Sequence, residues 1–210
     1  MTRLILCSAL VLSSLVHADA FPWADGEHTL TDAKGQKLTW TITRADGQVK
    51  IVGTHPRWHV EHLAKPDGTP LSTVRKANST VVKVTFTPEG AQLERTDAKG
   101  KTSTASIKEK GLWDSDTLDA RLAGIAWSSG KKVKVRVPDV EAADGTVYPL
   151  VAEYQGEKKC GEAPCHHVLL ALDDFRRLFA PTFEYRYSTS SGAKYLQYEG
   201  DGMTFKSSGQ

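Results

Sequence analysis

Residues 38–43, Leu-Thr-Trp-Thr-Ile-Thr, alternate large apolar side chains with threonines. Successive side chains of an extended chain point to opposite faces, so Leu38, Trp40 and Ile42 share one face and the threonines share the other. Aromatic and β-branched residues are also the types enriched in strands. This stretch therefore predicts a β-strand with one buried face.

The same alternation recurs along the chain, and Asp-Gly pairs that suit hairpin turns separate many of the alternating segments. We expect strands near residues 26–33, 36–44, 47–54, 57–64, 70–76, 81–87, 91–97, 102–109, 131–138, 147–155, 165–172, 183–188, 194–199 and 203–207. Most connections are too short to hold the helices that parallel strands require. The pattern predicts an all-β protein in which residues 21–210 form a single domain. Its sheet is one curved antiparallel meander, an open or partly closed barrel, with one or two short helices.

A pentapeptide, Thr-Asp-Ala-Lys-Gly, occurs at residues 31–35 and again at residues 96–100. The flanking sequences do not match, and both copies lie where a hairpin turn is expected. The repeat therefore indicates shared turn chemistry and not a duplicated functional unit.

One segment departs from the alternation. Its apolar residues recur at helical spacing as Leu118, Leu122 and Ile125. This spacing predicts a short helix near residues 116–126 that packs over the sheet, with Ser115 or Asp116 as its N-cap. Residues 172–179 are ambiguous and could form a second helical turn.

The N-terminus has the features of a secretory signal peptide. Arg3 precedes an apolar run over residues 4–16, and small residues at 18 and 20 suit cleavage after either position. The run is shorter than the ~20 residues that span a bilayer as a helix. We therefore expect residues 1–20 to be a signal peptide, the mature chain to lack a transmembrane segment, and the protein to be periplasmic or secreted.

Charge excludes one class of partner. The 27 basic and 25 acidic residues leave a net charge of +2, which does not favour nucleic acid binding. Lys132, Lys134 and Arg136 alternate along one predicted strand and would form a basic row. The ordinary role of such a row is a solvated face, and the alternative is a contact with anionic lipid head groups.

Two cysteines follow the leader, Cys160 and Cys165, with His166 and His167 directly after them. In an oxidising compartment a close pair predicts a disulfide bond. A metal site and a haem attachment are the alternatives, but neighbouring histidines on a strand point to opposite faces. We expect the disulfide and no metal or other cofactor.

Other candidate chemistry is weak. His55, His59 and His62 are close in sequence, but they lie on predicted strands and a role at the surface or rim is expected. Phosphate-binding loops, nucleophile elbows and His-Glu-x-x-His motifs are absent from the sequence. Carboxylate pairs such as Asp114 with Asp116 fit caps and turns.

Several segments of the second half, and two of the first, resemble the bacterial envelope proteins grouped as domain of unknown function 3108. The segments are residues 67–71 (DGTPL), 82–86, 113–119 (WDSDTLD), 181–188 (PTFEYRYS) and 194–200 (KYLQYEG). The resemblance extends from about residue 35 onward. It implies export and a single curved antiparallel sheet with short helices, and it implies no established activity and no catalytic residues.

Two classes of function are consistent with this sequence. The first is non-enzymatic binding of an apolar or amphipathic ligand, lipid or envelope partner in the concave face of the sheet. The ligand-facing candidates are Trp40, Trp58, Phe86, Tyr185 and Tyr187, although aromatic residues at strand spacing are usually core. The second is a periplasmic hydrolase that uses His59, His62 or His167 as a base, and a purely structural or docking module is a further alternative.

Overall fold

The computed structural model describes residues 23–189, 195–200 and 203–207. The strands are β1 (Gly26–Asp32), β2 (Lys37–Ala45), β3 (Gln48–His55), β4 (Trp58–Ala64), β5 (Pro70–Ala77), β6 (Thr80–Thr87), β7 (Gly90–Thr96), β8 (Thr102–Ile107), β9 (Lys132–Pro138), β10 (Val147–Cys160), β11 (Ala163–Leu172), β12 (Phe183–Ser188), β13 (Tyr195–Gly200) and β14 (Met203–Ser207). One α-helix, α1 (Leu118–Ala123), and a 3₁₀ helix (Phe175–Leu178) complete the secondary structure of these residues. The predicted signal peptide lies outside the described residues.

The strands of the described residues form one antiparallel sheet in the order β8-β7-β6-β5-β4-β3-β2-β1-β14-β13-β12-β11-β10-β9. The chain therefore starts in the middle of the sheet, meanders outward to β8, crosses to the opposite edge at β9 and meanders back until β14 pairs with β1. The sheet is curved but not closed. The predicted all-β class with a single curved antiparallel sheet is confirmed, and of the two predicted alternatives, open or partly closed, the structure has the sheet not closed.

The segment that crosses from β8 to β9 pairs with the edge strand β9. After β8, Leu112 forms a parallel bridge with Arg136 of β9, and Trp113 N donates to Arg136 O at 2.8 Å. Helix α1 then enters the concave side, where its Leu118 and Leu122 are buried in a large core with residues of β1–β3 and β9–β12. A smaller core lies between β6, β7, β8 and the loop after β9.

The helix is shorter than the sequence predicts. It starts after Thr117, which occupies the N-cap without a side-chain capping bond, so the prediction of Ser115 or Asp116 as N-cap is wrong. The reason is that Asp116 turns toward Arg75 of β5. The ambiguous region 172–179 contains the 3₁₀ helix, which Asp174 caps by accepting from Arg176 N at 2.9 Å.

Both copies of the repeated pentapeptide form hairpin turns with the same hydrogen bonds. Asp32 Oδ1 accepts from the amides of Lys34 and Gln36, and Asp97 Oδ1 accepts from the amides two and four residues further on. The prediction of shared turn chemistry is confirmed, and the physical reason is that an aspartate side chain satisfies amides that the turn leaves unpaired.

In the part of the chain that the structure describes, no helix is long and apolar enough to cross a membrane.

Candidate functional site: a side cavity with a buried carboxylate

A cavity of about 620 Å³ lies at one end of the sheet, between the start of α1 and strands β9–β13. Its walls are mainly apolar and aromatic, with Leu150, Leu170, Phe183 and Tyr185 among the lining residues. We call this space the side cavity. Its volume is within the range of about 300–1,000 Å³ that small-molecule pockets occupy.

One end of the side cavity is polar. Asp116 lies there with 8% of its side chain exposed, and the Arg75 guanidinium donates to its Oδ1. Neither Asp116 Oδ2 nor Ser115 Oγ has a hydrogen-bond partner among the described residues, although both atoms are buried. A buried acceptor without a donor is unfavourable, so the polar end of the side cavity is left short of hydrogen-bond donors.

Further charges line the same end. Asp139 accepts from the Tyr148 hydroxyl at 2.9 Å, and Glu141 lies 3.7 Å from an Arg75 nitrogen. The cavity lining thus carries three carboxyl groups and one guanidinium. The local balance of formal charge is negative, unlike that of the whole chain.

The carboxyl group of Asp116 resists ionisation. Burial and the neighbouring Asp114 raise the pKa of Asp116 to about 7, against the opposing effect of Arg75. Asp119, on the first turn of α1, behaves similarly because burial raises its pKa to about 7. Near neutral pH the polar end of the side cavity therefore contains a carboxyl group that can gain or lose a proton.

A buried polar cluster lies behind this end. His62 Nδ1 is 2.8 Å from Thr73 Oγ1 and 3.1 Å from Asp114 Oδ2, and the Thr73 hydroxyl donates to the same carboxylate oxygen. Burial opposes ionisation of Asp114, but His62 and three hydrogen bonds outweigh it and lower the pKa of this carboxyl. The side chains of His62 and Asp114 are each 1% exposed, and neither residue lines the side cavity.

The expectation of a surface or rim role for the three histidines is wrong for two of them. His62 is in the buried cluster, and His55 is buried against the rings of Trp58 and Phe205. Only His59 is partly exposed, next to Glu61 at 3.5 Å. The sequence pattern placed these residues on strands correctly, but it did not show that the polar side chains of Thr73 and Asp114 would cover an inward-facing histidine.

The ligand-facing candidates from the sequence are dispersed. Tyr185 lines the side cavity, Tyr187 is fully buried, and Trp40 is buried in the large core. Phe86 lies in the smaller core, and Trp58 is half-buried with the Arg75 guanidinium 5.3 Å from its ring centre. Contact of any of them with a ligand stays a prediction. Arg75 and Tyr148 are cavity residues that the sequence did not single out, and Asp116 was expected only as a cap or turn residue.

The basic row of β9 is exposed, and an acidic partner accompanies each of its members. Lys132 lies 3.0 Å from Glu153, Lys134 lies 2.8 Å from Asp173, and Arg136 pairs with Glu109. None of the three lines the side cavity. A contact of this row with an anionic head group stays a prediction.

Cys160 and Cys165 form a disulfide that joins β10 to β11 at the end of their hairpin, as the sequence predicts. The two histidines that follow have separate partners: His166 is 3.1 Å from the Tyr154 hydroxyl, and His167 is 3.0 Å from Glu184. Within residues 23–189, 195–200 and 203–207, no three His, Cys, Asp or Glu side chains are grouped as metal ligands.

No protein-family model and no curated sequence matches this chain. A solved structure is similar in fold: the crystal structure of a beta-barrel-like protein of domain of unknown function DUF1849 from Brucella abortus. The TM-score is 0.53 at 9% sequence identity, and the match covers 87% of this chain and 93% of that chain. The chain has a beta-barrel-like fold. At this identity the likeness extends to the fold alone.

Proposed function

We propose that this protein is a non-enzymatic binding protein that takes a small amphipathic molecule into the side cavity. The observation that carries the proposal is the combination of apolar walls with a polar end that contains unpartnered acceptors. Ligand pockets are typically apolar with a few convergent polar groups that fix orientation.

The charges at the polar end specify the head group of this molecule. Asp116 Oδ2 and Ser115 Oγ have no donor among the described residues, whereas Arg75 already donates to Asp116 Oδ1. Asp139 and Glu141 add negative charge at the same end. The head group therefore donates hydrogen bonds and is positively charged, and a primary amine has the required chemistry.

The hydrolase alternative has less support. His62 does have an acid and a hydroxyl within hydrogen-bond distance, but it is 1% exposed and does not line the side cavity. His167 is also buried, and its carboxylate partner Glu184 is not a lining residue either. A general base must reach a substrate proton, and these two positions offer no such access. His59 is partly exposed, but it does not line the side cavity either.

We also propose that the protein acts in the periplasm or outside the cell. The disulfide between Cys160 and Cys165 supports an oxidising compartment, since such bonds are rare in the cytosol. The intact mass of the exported protein tests this proposal. A mass that lacks residues 1–18 or 1–20 is expected, and a mass that retains the leader contradicts it. Membership in domain of unknown function 3108 stays a prediction.

Titration with three probes of equal chain length, dodecylamine, dodecanol and dodecanoate, tests the binding function, with the two ionic probes below their micelle concentrations and dodecanol below its solubility limit. Dodecylamine is expected to bind most tightly and dodecanoate most weakly. Asp116→Asn should weaken dodecylamine binding by roughly 10-fold, because a charge-assisted hydrogen bond is lost, and change dodecanol binding much less.

Two further variants complete the experiment. Leu170→Trp, which fills the cavity, should weaken all three probes, whereas Glu94→Gln on β7, whose carboxylate pairs with Lys83 outside the cavity, should change none of them. The binding function is contradicted when none of the probes binds. The assignment of the head group is contradicted when dodecanoate binds as tightly as dodecylamine.

A further inference from the structure

The 3₁₀ helix between β11 and β12 and its C-cap residue present three large apolar side chains to solvent. Phe175, Leu178 and Phe179 are 78%, 82% and 85% exposed, and they are the exposed large hydrophobic residues of the described chain. We call these three residues the apolar tip. The 3₁₀ helix has no buried residue, so it contributes nothing to either core.

The apolar tip is held in place by local bonds. Asp174 caps the helix and also binds the Arg176 guanidinium, with Arg176 Nη2 2.6 Å from Asp174 Oδ2. Arg177 N donates to Asp174 O at 3.0 Å, and Phe179 N donates to Arg176 O at 3.0 Å. The turn is thus a formed structure that keeps its apolar side chains outward.

Basic residues surround the apolar tip. Arg176 and Arg177 are on the 3₁₀ helix itself, and Lys132 and Lys134 are on β9, at the edge of the sheet. Lys132 and Arg177 share Glu153, at 3.0 and 2.9 Å, and Lys134 pairs with Asp173. The other acidic residue is Asp174, so four basic groups face three carboxylates and the patch has one excess positive charge.

The size of the apolar tip argues against a protein partner. Three such side chains expose about 150 Å² each, or roughly 450 Å² in all. A stable protein interface needs about 800 Å² from each partner and a complementary shape, whereas a one-turn projection offers neither. A membrane interface accepts a small apolar projection with flanking Lys and Arg residues, because apolar groups enter the acyl boundary and cations contact the head groups.

We propose that the apolar tip docks this protein on a membrane surface that contains anionic lipids. Docking there would bring the side cavity to the membrane, since Ala180 and Pro181 directly follow the tip and line the cavity. Arg176 also lies over the ring of Tyr148, a cavity residue, at 5.8 Å. This inference goes beyond the binding of an amphiphile and does not depend on it.

Vesicle flotation of the whole protein tests this docking. Vesicles of phosphatidylcholine with one quarter phosphatidylglycerol should carry a measurable fraction of the protein, and pure phosphatidylcholine should carry less. Phe175→Ser with Phe179→Ser should lower the bound fraction at least fivefold, and their thermal unfolding should match that of the wild type because neither side chain is buried. Arg176→Gln with Arg177→Gln should abolish the preference for anionic vesicles.

Lys50→Gln with Lys83→Gln removes two exposed cations elsewhere on the sheet and should leave vesicle binding unchanged. The proposal is overturned if the wild type and the double serine variant bind anionic vesicles equally. It is also overturned if the wild type does not bind these vesicles. Light scattering tests a further outcome. If the wild type is a dimer and the serine substitutions dissociate it, the apolar tip binds a second copy of the chain and the membrane proposal is overturned. Dodecylamine titration of the serine variant separates the two proposals, since the side cavity is intact in that variant.

Discussion

His62 Nδ1 lies 3.1 Å from Asp114 Oδ2, and the two side chains are 52 residues apart in sequence. Thr73 of β5 bonds to both of them. The contact therefore joins β4 and β5 to the segment that precedes α1, and it places the start of the helix against the sheet. Because all three groups are buried, they depend on one another for hydrogen bonds.

Removal of one member should destabilise the fold. Thr73→Val keeps the shape of the side chain but takes away the hydroxyl, and we expect a loss of about 1–3 kcal/mol in the free energy of unfolding. Chemical denaturation measures it. Thr85→Val, at an exposed position of β6, is the matched control and should change stability by less than about 0.5 kcal/mol. Equal effects of the two substitutions would mean that the buried cluster contributes nothing.

The raised pKa of Asp119 predicts a pH dependence of stability. The unfolded carboxyl ionises near its ordinary pKa of 3.8 and the folded one near 7, so the folded state holds the proton more tightly. The contribution of the Asp119 carboxyl to the free energy of unfolding is therefore fully present below pH 4, and it is lost as the pH rises through 7. Asp119→Asn removes the ionisation while Oδ1 still accepts from Ala120 N.

We expect the free energy of unfolding of this variant to equal that of the wild type near pH 4 and to exceed it by about 2 kcal/mol at pH 8. This is about half of the value that the pKa shift of Asp119 implies, because solvent screens a side chain that is partly exposed. Urea denaturation at several pH values gives the comparison. Asp144→Asn is the control, because hydrogen bonds from Thr146 lower the pKa of this exposed carboxyl. The free energy of unfolding of this variant should not exceed that of the wild type at pH 8. A constant difference across the pH range would contradict the prediction.

Gly53 of β3 is directly opposite Trp40 of β2, and the absence of a side chain makes room for the indole. A Cβ at position 53 would overlap the Trp40 ring. Gly53→Ala should therefore lower the free energy of unfolding by about 1–3 kcal/mol, even though alanine is otherwise tolerated better than glycine in a strand. When Gly53→Ala is made in the Trp40→Leu variant, as in a double-mutant cycle, most of this loss of stability should be absent. Additive effects would show that the two positions do not interact.

The disulfide should contribute only modestly to the free energy of unfolding, because it closes a loop of only six residues. Cys160→Ala with Cys165→Ala should lower the free energy of unfolding by about 2 kcal/mol. The wild type measured in reducing agent should give the same value. Dodecylamine binding should be unaffected, since the disulfide is at the opposite end of β10 from Tyr148 and Leu150. A loss of binding would mean that the bond organises the side cavity as well.

Much of the fold could be predicted from local patterns. The alternation of Leu38, Trp40 and Ile42 with threonines gave the correct buried face of β2, and all three are buried. The turn at Asp32 formed as expected because its hydrogen bonds involve residues within four positions. Information of this kind is contained in short segments, so it can be obtained without the tertiary structure.

The candidate site could not be predicted in this way. Arg75 and Asp116 are 41 residues apart, and nothing in the sequence around either one indicates the other. The same limit explains the error at the N-cap, where the bond to Arg75 replaced a local capping bond. It also explains why His62 was expected at the rim, since a histidine on an inward face is tolerated only when distant residues supply its partners.

By itself, the sequence determined the number of strands and their approximate positions along the chain, the turn chemistry and the pairing of Cys160 with Cys165. Only the tertiary structure decided that the segment after β8 pairs with β9 through Leu112 and Arg136, that α1 fills part of the concave side, and that a cavity with Asp116 at its end remains. The physical reason is that a period of two fixes which side chains share a face, whereas curvature and long-range pairing decide which parts of that face are filled with protein and which are left open.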